Sequence, residues 1–172
     1  MRHVLHLQQR STTCAVASIR TVLHHQFGLR VSEAALVVLG THARKPLVTH
    51  GSNTSDMRRM VQGASKAYHV GTPWKLRTSR NGTISKLTKE LAAGRWPIVQ
   101  VYHSELQEYH AVVVTELTET HVRVFDPDYS RTTNLRWMTR DAFEAWWICP
   151  ATHDTWYAVV IGDRFEAPRT HA

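Results

Sequence analysis

At 172 residues, 42% hydrophobic and 20% charged, the chain has the size and composition of one globular domain able to bury a core. No apolar run approaches the roughly 18 residues that span a bilayer, and charge and histidines break up the N-terminus where a signal peptide needs an apolar stretch. A cytoplasmic protein with no membrane span is expected, although secretion as an effector by a route without a cleaved signal stays open. The formal charge of +7 invites a nucleic-acid reading, but the densest basic region, Arg58-Arg59, Lys75, Arg77, Arg80, Lys86 and Lys89, lacks aromatic interleaving. A solvated basic face is expected and nucleic acid is not; an acidic substrate segment or partner stays open.

In chain order, a short strand over residues 3 to 8 leads to a helix that starts at Cys14 and ends near Gly28. Ser32 caps a second helix over residues 33 to 39, with Glu33 in its first turn. Residues 41 to 53 read as a loop. Ser55 or Asp56 opens a helix that runs to about Tyr68. A strand over 72 to 78 is followed by Asn81-Gly82, a strong turn signal, and by a helix over 83 to 93 stopped at Gly94. Strands follow over 96 to 103, 109 to 117 and 120 to 126, then a helix over 139 to 147 and a closing strand over 156 to 162. Early helices followed by a largely antiparallel sheet make an α+β domain. One domain over residues 1 to 166 is expected, with a flexible tail over 167 to 172.

Cys14 sits where an extended segment gives way to a helix. Ser11, Thr12 and Thr13 are all capping residues, and Val16, Ile19, Val22 and Leu23 recur at helical spacing behind the cysteine. A thiol at a helix start feels the positive end of the macrodipole and nearby free N–H groups, and both favour the nucleophilic thiolate. Gln8, six residues upstream, is placed to donate to an oxyanion formed beside the sulfur. Gln9 competes for that part, but the pleat turns the two to opposite faces, and the six-residue spacing selects Gln8.

Farther along, the run Tyr109-His110-Ala111-Val112-Val113-Val114 reads as a buried strand opening with histidine. Val122-Arg123-Val124-Phe125 leads into Asp126-Pro127, and the polar residues between suit a hairpin connection. Adjacent antiparallel strands would set His110 beside Asp126. A carboxylate there fixes the imidazole tautomer and leaves the other ring nitrogen for the thiol. Asp128 competes as the orienting carboxylate, but Asp126 lies nearer the strand end.

The order Gln8, Cys14, His110, Asp126 is that of the papain-like cysteine peptidases. The chain resembles the bacteriocin-processing, double-glycine leader peptidases in particular, as a stand-alone member. Beyond these residues, Trp96-Pro97-Ile98-Val99-Gln100-Val101, the run from Thr139 to Trp146, and Trp156-Tyr157-Ala158-Val159-Val160-Ile161 resemble the family's later strands and helix. The chain departs from transporter-borne members in having Thr13 before the cysteine and Ala15 after it, where Asp and Gly are usual.

The resemblance implies a papain-like fold, N-terminal helices packed on the sheet, and cleavage of a peptide or protein substrate after small residues such as Gly-Gly. It also implies a precursor peptide or an exporter as partner. Other uses of the same triad remain open: an acyltransferase or transglutaminase-like reaction, a protein-cleaving effector or toxin, or a peptide-binding module without catalysis.

The two cysteines make no disulfide framework, and in a reducing compartment they stay thiols. Cys149 follows Trp146-Trp147-Ile148 and reads as a structural cysteine in an apolar segment. The twelve histidines show no zinc-ligand spacing and no glycine-rich phosphate loop is present, so neither metal nor cofactor is expected.

Overall fold

The computed structural model describes residues 4–41, 51–68, 72–104, 107–128 and 134–163. The tail expected over 167 to 172 and most of the loop expected over 41 to 53 lie outside them. Five helices and six strands follow one another among the described residues: α1 (Cys14–Phe27), α2 (Glu33–Gly40), α3 (Thr54–Tyr68), β1 (Lys75–Ser79), α4 (Ile84–Ala92), β2 (Ile98–His103), β3 (Glu108–Leu117), β4 (His121–Phe125), β5 (Leu135–Thr139), α5 (Arg140–Trp147) and β6 (Tyr157–Ile161). The strands form one sheet in the order β1-β6-β2-β3-β4-β5, with every neighbouring pair antiparallel.

The central strands are apolar at consecutive positions because helices cover both faces, and the period of two divides their side chains between them. Ile98, Ala111, Val113, Ala158 and Val160 face the layer of α1, α2 and α3, where Ile19, Leu23, Leu36 and Met60 are wholly buried. Val99, Val112, Val114, Tyr157 and Val159 face α4 and α5 through Leu87, Phe143 and Trp147. Each fully buried aliphatic side chain of this kind contributes about 1.5–3 kcal/mol.

Helix α1 is buried on nearly every side, from Ala15 through Ile19 and again at Val22 and Leu23, because it lies between the sheet and the other two helices of its layer. Two side chains tie it to the strands. Ser18 Oγ donates to the Ala111 carbonyl at 3.2 Å. Gln26 donates from Nε2 to Val160 O at 3.1 Å and accepts from Trp96 N–H at 3.0 Å. The first tie fixes the start of α1 against the residue that follows His110.

Local signals set most boundaries. Gly28 ends α1 with φ at 70°, in the left-handed region where a side chain is strained. Ser32, Thr83 and Thr139 accept from the N–H three residues on and start α2, α4 and α5. Asn53 caps α3 reciprocally: its Oδ1 accepts from Ser55 and Asp56 N–H, and Asp56 Oδ2 accepts from Asn53 N–H.

Four expectations need correction. Residues 4 to 8 form no strand, because their polar groups go to scattered partners: His6 N–H donates to Thr21 Oγ1, and Gln8 N–H to Pro127 O. Asn81-Gly82 forms no turn: Asn81 bridges to Thr155 and the pair leads into α4. Gly82 is needed for close approach, since a Cβ there would lie 2.2 Å from the Trp147 ring. Thr13 starts α1 but does not cap it through its side chain, whose Oγ1 bonds back to Arg10. Strand β5 was not expected at all; it pairs along the whole of β4.

Candidate active site

Cys14 is the first residue of α1, and the first i→i+4 bond of that helix is Ala17 N–H to Thr13 O at 2.9 Å. The N–H groups before Ala17 therefore have no partner within the helix and point toward the chain end that carries the sulfur. His110 is the third residue of β3, and its register partner on β2 is Val101. Asp126 follows the last residue of β4, where the chain leaves the sheet. The antiparallel pairing of β3 with β4 brings the last two together. His110 Nε2 donates to Asp126 Oδ1 at 2.6 Å, which leaves Nδ1 for the thiol. His110 and Cys14 are close enough for each to act on the titration of the other.

Asp126 is fully buried, and the surrounding loop is built to hold it. Its N–H donates to Asn134 O at 2.7 Å, and Oδ1 also accepts from Asp128 N–H at 3.1 Å. Asn134 Nδ2 donates to the carbonyls of Asp126 and Asp128 at 2.9 and 2.6 Å. Asp128 thus serves the site through its backbone. On the far side, Arg136 Nη2 stands 3.9 Å from Asp126 Oδ2, and its guanidinium lies over the Trp146 ring, 4.9 Å from the centroid. His103 fills the space between, its ring 5.4 Å from that of His110 and 5.5 Å from that of Trp146.

The electrostatics follow from these contacts. Burial pushes the Cys14 thiol up, but the hydrogen bond and charge of His110, with the backbone N–H groups of Ala111 and Ala15, outweigh it and hold the thiol below its ordinary value. Burial pulls His110 down, whereas its hydrogen bonds to Asp126 and Cys14 and their charges raise it to about 9. Each group favours the charged form of the other, so the pair titrates as a unit and the imidazolium–thiolate form is favoured.

Gln8 is buried, and its backbone N–H donates to Pro127 O at 2.8 Å, which moors the N-terminal segment beside the Asp126 loop. Its Nε2 donates to Ser11 O at 3.4 Å, and its Oε1 is buried without a hydrogen-bond partner among the described residues. Gln9 points the other way, exposed, with its N–H on the Glu33 carboxylate at 3.1 and 3.2 Å. A cleft of about 270 Å³ opens over the sulfur, walled by Cys14, Asn53, Met57, Tyr109, His110 and Trp156. Among the described residues no three His, Cys, Asp or Glu side chains come together to hold a metal.

Cys149 is not the packed structural cysteine expected. Helix α5 ends at Trp147 and the backbone turns extended at Ile148, which lifts Cys149 to a partly exposed position with Tyr109 Oη 3.0 Å from its sulfur. Hydrogen bonds from Thr152 and then Tyr109 lower its thiol to about 7. Sequence reasoning also missed Arg136, Asn134 and Trp156. The first two had no signal, because the strand and the loop that carry them were not recognised.

Helices on both faces of an antiparallel sheet, with a thiol at a helix start and an imidazole–carboxylate pair on neighbouring strands, make this a papain-like domain. The chain belongs to the Peptidase_C39 like family, whose model matches residues 1–151, and it is a cysteine peptidase. No curated protein sequence matches it. Solved structures share its fold at low identity. The peptidase domain of Streptococcus ComA, a bi-functional ABC transporter involved in quorum sensing, has a TM-score of 0.67 at 16% identity, over 94% of this chain and 100% of that one. A C39-like peptidase from Bacillus anthracis has a TM-score of 0.69 at 15% identity, over 95% and 96%. A double glycine motif protease from an AMS/PCAT transporter, solved with its leader peptide, has a TM-score of 0.61 at 15% identity, over 92% and 91%. No helix among the described residues is long and apolar enough to cross a membrane.

Proposed function

We propose that this peptidase cuts a peptide after small residues, Gly-Gly in particular, by a Cys14–His110–Asp126 triad with Gln8 as oxyanion donor. The observation that carries the reading is the short bond from His110 Nε2 to the buried Asp126 carboxylate, with the other ring nitrogen left for the sulfur. Cys14 as thiolate adds to the scissile carbonyl. The oxyanion so formed meets the Cys14 N–H and the Gln8 amide; one such donor is worth about 3 kcal/mol in the transition state. His110 gives its proton to the leaving amine, then takes one from water as the water attacks the thioester and frees Cys14.

Preference for small residues is supported by the double glycine motif protease that shares the fold. Its complex with a leader peptide, together with the transporter setting of the ComA domain, supports a leader-bearing precursor of bacteriocin type as substrate and an exporter as the protein served. Two free thiols suit a reducing cytoplasm, where such a precursor is made.

Mass spectrometry after incubation with matched peptides tests this. Gly-Gly peptides should be cut on the C-terminal side of the second glycine, and twins with Leu-Leu at the cut should not. Indifference to those residues would overturn the specificity, and products carrying an added amine in place of water would reassign the chemistry to acyl transfer. The pH profile adds a sign. As pH falls through the lowered Cys14 value the thiolate is lost; as it rises through about 9 His110 loses the proton meant for the leaving group. The cleavage rate should therefore pass through an optimum and fall on both sides of it.

A further inference from the structure

The basic stretch that stood out in the sequence is not uniformly solvated. Arg59 pairs with Asp56, and Arg77 and Arg95 share Glu90. Lys86 Nζ donates to Asn81 O at 2.5 Å. Arg58 and Arg80 pair with no carboxylate among the described residues; Arg58 Nη2 donates only to Thr78 Oγ1, at 3.3 Å. These two line a cavity of about 540 Å³ between the start of α3, the end of β1 and the turn after α5. Thr54, Gln100, Tyr109 and Trp156 wall both this cavity and the cleft over Cys14, so the two adjoin.

Arg58 and Arg80 both line this one cavity, and no carboxylate among the described residues pairs with either. Asp154 is the acidic residue of the lining and forms no ion pair there, so the wall keeps an excess of positive charge. The rest of the wall is suited to a polar guest: Thr78, Ser79 and Thr152 offer hydroxyls, while Tyr102 and Tyr109 flank the way from the cleft. Both arginines are exposed, and arginine forks match carboxylate geometry and bind it by charge-assisted hydrogen bonds.

We propose that this cavity takes an acidic side chain, Asp or Glu, of the peptide being cut, with Arg58 and Arg80 closing on its carboxylate. The inference rests on reading the Cys14 cleft as a peptide-cleaving site, and it adds a charge requirement to the small-residue preference. An adjoining acidic residue would anchor the chain while the glycines thread past Cys14.

Two sets of capped peptides with a central Gly-Gly test it, one scanning Glu and the other Gln through the flanks. In the Cys14→Ala protein, which holds peptides without turnover, the readout is iodoacetamide labelling of Cys149 on the cavity wall. Glu at one or two positions should slow that labelling by about threefold or more at low salt, and its Gln twins should not. In the wild type the same Glu peptides should be cut with kcat/KM about tenfold above their twins. Arg58→Gln with Arg80→Gln should erase both differences and leave cleavage of the Gln peptides unchanged.

Equal protection by the two sets, or equal cleavage of them by the wild type, overturns the acidic subsite and leaves the peptidase reading intact. Protection by Glu peptides that the wild type does not cut keeps the subsite and overturns the Gly-Gly cleavage. A double variant that slows both sets alike shows the arginines to be structural and also overturns the proposal.

Discussion

Cys14 and Cys149 are both free thiols held below the ordinary range, yet their surroundings have little in common. Cys149 lies in a turn at the surface, and the groups that favour its thiolate are hydroxyls, first of Thr152 and then of Tyr109. Neither hydroxyl takes up a proton near neutral pH, and the Tyr109 hydroxyl is itself pushed upward by the sulfur. Cys14 is more enclosed, and burial works against its charge. Its thiolate exists because an imidazole donates to it, and that imidazole is held by a carboxylate buried completely and bonded on several sides. A lowered pKa therefore marks a thiol that reacts with alkylating agents, and the base behind the sulfur marks one that can complete a catalytic cycle.

The largest expected effect breaks the comparison outright. Cys14→Ala should reduce peptide cleavage by about 10³-fold or more, since the covalent step has no substitute, whereas Cys149→Ser should leave it within about twofold. Product formation by mass spectrometry under single-turnover conditions checks both. A Cys149 variant as inactive as the Cys14 variant would reverse the assignment of the nucleophile.

A smaller effect separates the sources of acidity. His110→Ala should slow iodoacetamide labelling of Cys14 at pH 6.5 by about tenfold or more, because burial then opposes the thiolate with nothing to offset it. Labelling of Cys149, whose partners are untouched, should keep its midpoint near pH 7. Peptide mapping is essential here, because total labelling below the free-thiol pKa of about 8.5 would come from both sites. Equal slowing of the two thiols would point to general unfolding.

The same contrast shows what the sequence made legible. Cys14, His110 and Asp126 each fall at the edge of a strongly patterned element: a helix of buried residues, a run of valines, and a strand stopped by Asp-Pro. Their meeting follows from one hairpin and from one helix lying across it. Cys149 misled because its neighbours Trp146 and Trp147 belong to a helix that ends just before it, and apolar neighbours in sequence do not bury a residue in the turn beyond. Residues 4 to 8 misled for the opposite reason. Their backbone is held by Thr21 and Pro127, contacts made far along the chain, and no strand among the described residues pairs with them. Strand β5, Leu-Arg-Trp-Met-Thr, alternates too weakly at a sheet edge to announce itself, and Arg136 was hidden with it.

Arg136 supplies the finest test, because it reaches only one of the two thiols. Its guanidinium stands 3.9 Å from Asp126 Oδ2 and stacks on Trp146, whereas Cys149 lies beyond the helix that carries that tryptophan. If the cation positions Asp126, Arg136→Met should lower kcat/KM at its optimum by about two- to fivefold. It should also move the pH profile in a defined direction. A positive charge beside the carboxylate opposes protonation of His110 and favours ionisation of Cys14, so removing it raises both values. The alkaline limb then starts above about 9, and the acid limb shifts upward with it, so the window slides to higher pH without narrowing. Arg136→Lys keeps the charge near Asp126 and should return both limbs toward the wild-type profile. A role confined to packing on Trp146 would lower the rate equally at every pH and leave the limbs in place. The labelling midpoint of Cys149 should not move in either variant, which makes it the internal reference against which the shift at Cys14 is read.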